Sequence, residues 1–211
     1  MLRNPAGERN KEAILEVLKK YIIVNTNTTL LEISSGTGLH SSFLAKYFPM
    51  TTFQPSEYEK EMFKSIVEYK RHYGVENVFE PVYVDISKDL ENWDAKFNGD
   101  YLRDCRESFD YMLNINMMHI SPFECSIGLF SNSSKLLKKD GILFTYGPYA
   151  VDGVLTPESN ISFDQSLKSR NPSWGIRDIA ELKKIAIKFS IMLIASYDLP
   201  ANNKLLVWKR N

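Results

Sequence analysis

Apolar positions recur along the chain in two alternating rhythms. Ile14, Leu18, Tyr21 and Ile22 fall on one helical face, with Pro5 as a start signal for the segment. Leu30 to Ile33 is a short apolar run that predicts a first strand, followed by a glycine turn and a helical stretch over Ser42 to Tyr47. Thr51 to Gln54 predicts a second strand, and Ser56 with Glu59 spells a capping box ahead of Met62, Ile66, Val67 and Tyr73. Phe79 to Val84 predicts a third strand, whose Pro81 suits a sheet edge because it cannot donate to a ladder. Phe109 to Ile115 predicts a central fourth strand. Ser121, Pro122 and Glu124 then spell a second capping box, and Lys138 to Gly141 a helix end. Ile142 to Thr145 is a fifth strand. Asp178 and Glu181 open a last helix that carries Ile179, Leu182, Ile185 and Ala186 on one face. Ile191 to Leu199 and Lys204 to Trp208, joined by Pro200 to Asn203, predict an antiparallel pair. Strands separated by helices imply an α/β, doubly wound, mostly parallel sheet covered on both faces, with one antiparallel strand at the end.

The segment 147–174 breaks the rhythm. It is rich in Pro, Gly and Asn, has one short helix near Phe163 to Ser169, and is too long for a plain connection. It is expected to cover a site. The 211 residues suit a single domain spanning 1–211, with an amino-terminal helix inside 1–24 and the cover at 147–174.

Composition narrows the partners. Lys and Arg number 26 and Asp and Glu number 26, so no net positive field is available to hold long nucleic acid. No apolar run is long enough for a membrane span, the richest, Ile185 to Tyr197, being broken by Lys188 and Ser190. Cys105 and Cys125 have neither metal-ligand spacing nor a disulfide framework, and His40 and His72 lack partners at ligand spacing, so no metal is expected. Together these features predict a cytoplasmic protein.

The turn after the first strand is the most informative segment. Glu32-Ile33-Ser34-Ser35-Gly36-Thr37-Gly38 places an acid at a strand end and glycines where backbone amides can approach a ligand. It resembles the acid-x-Gly-x-Gly-x-Gly motif of Rossmann-like S-adenosylmethionine-dependent methyltransferases, with Ser34 at the first glycine. Phe109 to Asn114 and Leu137 to Leu143 are similar to the fourth- and fifth-strand segments of that class. Glu8 to Lys11, Gln54 to Ser56, Asn114 to Met117, Thr145 to Tyr149, Arg170 to Pro172 with Trp174-Gly175, and Pro200 to Lys204 resemble the methyltransferase-like protein 26 family over nearly the full length. The resemblance implies a seven-stranded sheet in the order 3-2-1-4-5-7-6 and S-adenosylmethionine as cofactor. It implies a cofactor pocket of Glu32, Ser34, Gly36, Gly38, Gln54, Asp85, Ile86 and Asn114, with Arg9 and Asn10 folding over the ligand's carboxylate. A bulky side chain at Gly38 is expected to fill the cofactor's space. Gln54 departs from the class, which has an acid at the end of the second strand; Glu57 is the alternative holder of the ribose.

The acceptor is expected past the carboxyl ends of the fourth and fifth strands. Asn116, His119 and Tyr146 are the catalytic candidates, one to orient an acceptor, one to take a proton, one to line the pocket. Tyr149, Arg170 and Asn202 are candidates for acceptor binding. The expected acceptor is a small molecule or a protein side chain. Two other classes stay open: a nicotinamide-dependent oxidoreductase, against which no tyrosine has a lysine four residues later, and a non-catalytic module that acts through protein partners.

Overall fold

A computed structural model describes residues 1–211. Its frame is a seven-stranded sheet. Counting only those strands, they are β1 (Thr28–Ile33), β2 (Thr51–Glu57), β3 (Val82–Tyr83), β4 (Phe109–Ile115), β5 (Leu137–Gly147), β6 (Ile191–Leu199) and β7 (Asn203–Arg210). The order is β3-β2-β1-β4-β5-β7-β6. All neighbours are parallel except β7, which is antiparallel to both β5 and β6. The expected architecture and order are those found.

Successive strand residues point to opposite faces, and both faces are buried. Leu30, Leu113, Phe144 and Val207 pack with α1 (Pro5–Leu18) and α2 (Leu39–Ala45). Their neighbours Leu31, Met112, Leu143 and Leu206 pack on the other side with α4 (Phe123–Leu136) and α6 (Ile179–Ala186). Between these come α3 (Phe63–Tyr73) and α5 (Glu158–Arg170). No helix is long and apolar enough to cross a membrane.

Several boundaries differ from the sequence expectation, each for a local reason. Asn4 caps α1 by accepting from the Gly7 amide at 2.8 Å, and Pro5 takes the first position, so the helix is shorter than 1–24. Ser56 is no cap. It lies in β2, pairs with Ile33, and its hydroxyl donates to the Glu32 carbonyl at 2.8 Å. Ser121 is no cap either: α4 begins at Phe123, and the Ser121 hydroxyl turns back toward the Met118 carbonyl. The third strand is interrupted at Pro81; Phe53 bonds Asn77 and Phe79, and regular pairing resumes only at Val82. Lys138 to Gly141 form a looped-out step inside β5, where Phe109 pairs Leu137 but Tyr111 pairs Ile142. Lys138 to Asp110 and Lys209 to Asp140, both 2.7 Å, hold that step.

Candidate functional site

A cavity of about 810 Å³ opens at the carboxyl ends of β1 to β4. The amino-terminal strap Arg3 to Ala6 and Trp174 complete its wall. The floor is the turn after β1. Ser34, Gly36 and Gly38 have φ of +59°, +55° and +88°, so alternate residues are left-handed and the chain doubles back tightly. The two glycines do different work. A Cβ at Gly36 would meet nothing within 4 Å, whereas one at Gly38 would sit 2.5 Å from the Ile66 Cα. Gly36 borders the cavity; Gly38 lets α2 begin against α3 and is absent from the wall. A side chain at Gly38 would therefore strike α3, and the expectation that it would fill the ligand space is corrected to Gly36.

The second correction concerns the acid. β2 runs on to Glu57, so Gln54 ends up inside the ladder, its amide donating to the Pro55 and Glu80 carbonyls at 2.8 and 2.9 Å. Glu57 stands at the cavity instead. Its carboxylate accepts from the Gly36 amide at 2.6 Å, from Tyr58 at 2.8 Å and from Glu59 at 3.1 Å. Three backbone amides thus fix one carboxylate in a single orientation.

Glu32 lies deeper, fully enclosed, and accepts from the Ser41 hydroxyl. Burial raises its carboxyl to about 7, assisted by the charge of Glu57. Between pH 4.5, the ordinary value, and about 7, the folded chain keeps a proton that the unfolded chain has lost. Taken alone, this group makes stability fall as pH rises through that window and level off above it, while His40 and His119, both lowered to about 4, act in the opposite direction. The share of Glu32 is the difference between parent and Glu32→Gln: in denaturant melts across this range the parent will lose stability relative to the variant as pH rises, and a difference that does not change with pH would refute the assignment.

Asp85 and Ile86 follow β3 and line the cavity, with Asp85 ordering its turn through Ser87 at 2.6 Å. Asn116 lines it too, at φ +61°, its backbone N–H donating to the Tyr146 carbonyl at 2.8 Å. Asn114 does not. It is buried, and its amide donates to the Ile33 carbonyl at 3.0 Å, joining β4 to β1.

His40 is a wall residue to which sequence reasoning gave no role. It is buried, its Nε2 lies 2.7 Å from Asn10 Oδ1, and burial, with the charge of Lys11, lowers it to about 4. Asn10 is therefore committed to His40, Arg9 faces solvent, and Arg3 to Ala6 take the place expected of them. The signal lay in the strap's Asn-Pro start, which fixes where α1 begins.

The remaining candidates lie outside the cavity wall. His119 is buried; its ring meets Phe163 edge-on at 5.6 Å, and a methyl at Gly147 would touch its Nδ1 at 3.3 Å. Burial and the charge of Arg177 lower it to about 4. Tyr146 belongs to the core on the α1 side, its hydroxyl beside Asn10 and Asn203, with burial raising it. Tyr149 is buried in the opposite core with its hydroxyl toward Met118 Sδ, away from the cavity wall. Arg170 is exposed and stacks 5.9 Å from the Trp174 ring. Asn202 is exposed and donates to the Ser159 hydroxyl, a turn contact away from the cavity.

A family model described as "Protein of unknown function (DUF938)" matches residues 1–210. The chain belongs to that family. Among solved structures, this DUF938 chain is similar to a candidate sarcosine dimethylglycine methyltransferase from Galdieria sulphuraria. The TM-score is 0.74 at 14% identity, over 98% of this chain and 87% of that one. An O-methyltransferase family protein from Burkholderia thailandensis matches with TM-score 0.76 and 12% identity, over 98% and 57%. Human N-acetylserotonin methyltransferase, solved with S-adenosylmethionine, matches with TM-score 0.72 and 10% identity, over 98% and 53%. The chain spans little more than half the length of the last two. These likenesses establish a methyltransferase fold for the DUF938 chain.

Proposed function

We propose that this DUF938 protein is an S-adenosylmethionine-dependent methyltransferase acting on a small molecule or a protein side chain. The observation that carries the reading is the Glu57 carboxylate, pinned by three amides beside the open space at Gly36. The acceptor site left free, on Oε2, suits a hydroxyl of a vicinal pair. Asp85 offers an acceptor for an exocyclic amine, while Met62, Val84 and Ile86 supply apolar surface for a flat ring. The donor set and the cradle at Gly36 therefore fit the cofactor.

When bound, S-adenosylmethionine would supply an electrophilic methyl group to a lone pair of the acceptor, with the sulfur as leaving group. Asn116, at the end of β4, orients the acceptor. The cavity's one histidine, His40, is neutral and held by Asn10, and His119 sits behind Gly147. Placement rather than proton removal is then the chief contribution of these residues, and the reading favours acceptors that arrive with a free lone pair. We read 147–174 as the cover of the acceptor side, since Trp174 lines the cavity and Gly175 donates to the His119 carbonyl at 3.1 Å. We further read the chain as kin to the methyltransferase-like protein 26 family and as cytoplasmic.

Calorimetric titration of the full chain with S-adenosylmethionine, S-adenosylhomocysteine and NAD tests this. The first two will bind and NAD will not. Binding of NAD alone, or of none of the three, would overturn the reading.

A further inference from the structure

His40 stands on the cavity wall with one ring nitrogen unused. It lies in the first turn of α2, is only 4% exposed, and lines the cavity. Its Nε2 lies 2.7 Å from Oδ1 of Asn10, a buried residue of α1. An amide oxygen only accepts, so Nε2 carries the ring proton and Nδ1 is a bare acceptor. No group of the chain bonds Nδ1, and protein does not fully enclose it. Burial, helped by the charge of Lys11, keeps the ring neutral at neutral pH.

The wall beside it offers acceptors too. Glu32 accepts from the hydroxyl of Ser41, the residue after His40, and lines the same cavity. The carboxyl and the bare imidazole nitrogen thus belong to one stretch of wall, between the end of β1 and the start of α2. No cation of the chain fills it. Lys11, whose charge reaches the ring, is paired with Glu8 at 2.5 Å and lies over the Phe43 ring. The polar groups that the cofactor reading already uses sit on other elements: Glu57 in β2, Asp85 after β3 and Asn116 after β4. A stretch of acceptors suits a ligand group made only of donors, and an ammonium is such a group.

We propose that His40 Nδ1 receives the α-ammonium of S-adenosylmethionine and that Asn10 is the positioning residue that keeps Nδ1 free for it. This rests on the methyl-transfer reading above and adds a hold on the ligand's amino-acid arm. That arm leads directly to the sulfur, so anchoring it restrains the direction in which the methyl group points. Asn10 acts through the ring: with Nε2 tied to its oxygen, the imidazole keeps one tautomer and one orientation.

Three ligands separate the possibilities. S-adenosylhomocysteine has both amine and carboxylate, decarboxylated S-adenosylmethionine keeps only the amine, and methylthioadenosine lacks both. Each is titrated calorimetrically into the full chain, as parent, His40→Phe and Asn10→Ala, and the histidine ring nitrogens are followed by NMR. The ligand-free parent will show His40 with Nε2 protonated and Nδ1 bare. The two amine-bearing ligands will move the Nδ1 signal, and methylthioadenosine will leave it. His40→Phe will weaken both amine-bearing ligands roughly tenfold or more, as loss of a hydrogen bond to a charged group requires, and alter methylthioadenosine by less than about twofold. Asn10→Ala will admit the other tautomer, weaken the same two ligands and spare methylthioadenosine. The parent spectra decide the matter even if a variant does not fold. Equal losses for all three ligands would mark a purely structural histidine and overturn the proposal. So would a loss confined to S-adenosylhomocysteine, which would point to its carboxylate, or a protonated Nδ1 in the free parent. If the parent binds none of the three, the methyl-transfer reading fails and this inference with it; binding that ignores His40 and Asn10 overturns this inference alone.

Discussion

Glu57→Gln will weaken S-adenosylhomocysteine binding on the order of a hundredfold, from the loss of one or two charge-assisted bonds at about 1.5–3 kcal/mol each. The amide nitrogen of glutamine cannot accept from Gly36, so the substitution also releases one of the three amides that orient the group. Calorimetry on the parent and variant gives the ratio directly. Gln54→Ala is the matched control. That amide bonds Pro55 and Glu80 and does not line the cavity, so its loss will cost about 2–3 kcal/mol of stability, from two buried hydrogen bonds, and leave affinity within about twofold. If instead Gln54→Ala abolished binding and Glu57→Gln did not, the ribose position would revert to Gln54.

The glycine pair separates ligand space from folding space. Gly36→Leu will keep the chain folded, at a cost of about 1–2 kcal/mol for a left-handed non-glycine residue, and will remove detectable S-adenosylhomocysteine binding. Gly38→Leu will instead lower stability by about 3–5 kcal/mol, combining the left-handed cost with a clash against the Ile66 backbone. The clash is with main chain, so no rotamer change relieves it, and α2 and α3 must move apart. Urea unfolding together with ligand titration reads both effects. A Gly38→Leu chain as stable as its parent would contradict the close approach of the two helices.

The sheet was legible because its central strands are buried on both faces. Leu30-Leu31, Met112-Leu113 and Leu143-Phe144 are apolar at consecutive positions, and their order follows from the helices between them. Helix starts were less legible. Ser56 and Ser121 both stand three residues before a glutamate, yet the ladder with Ile33 takes Ser56, and the turn onto Met118 takes Ser121. The expected second strand stops at Gln54, which set the expected acid's place there. In the fold the missing N–H of Pro55 falls beside the short β3, which pairs only with Ser56 and Glu57, so the strand continues past it. The glycine turn was readable from spacing because left-handed backbone demands it; the direction each glycine faces was not, since that depends on α3. Tyr149 and Asn114 went to the core for a similar reason: strand residues alternate faces, and the sequence does not say which face meets the cavity.

The looped-out step at Lys138 to Gly141 offers a practical use. It lies where β5 begins, whereas the cavity opens where the strands end, so the full length of the sheet separates the two. Asp140 is in the left-handed region at φ +65°, and Lys139 and Asp140 face solvent. Chain inserted there would extend a bend that already leaves the ladder, without breaking a paired residue. A fluorophore at Lys139, or a short affinity peptide placed after Asp140, would report on or immobilise the protein with its ligand entrance free.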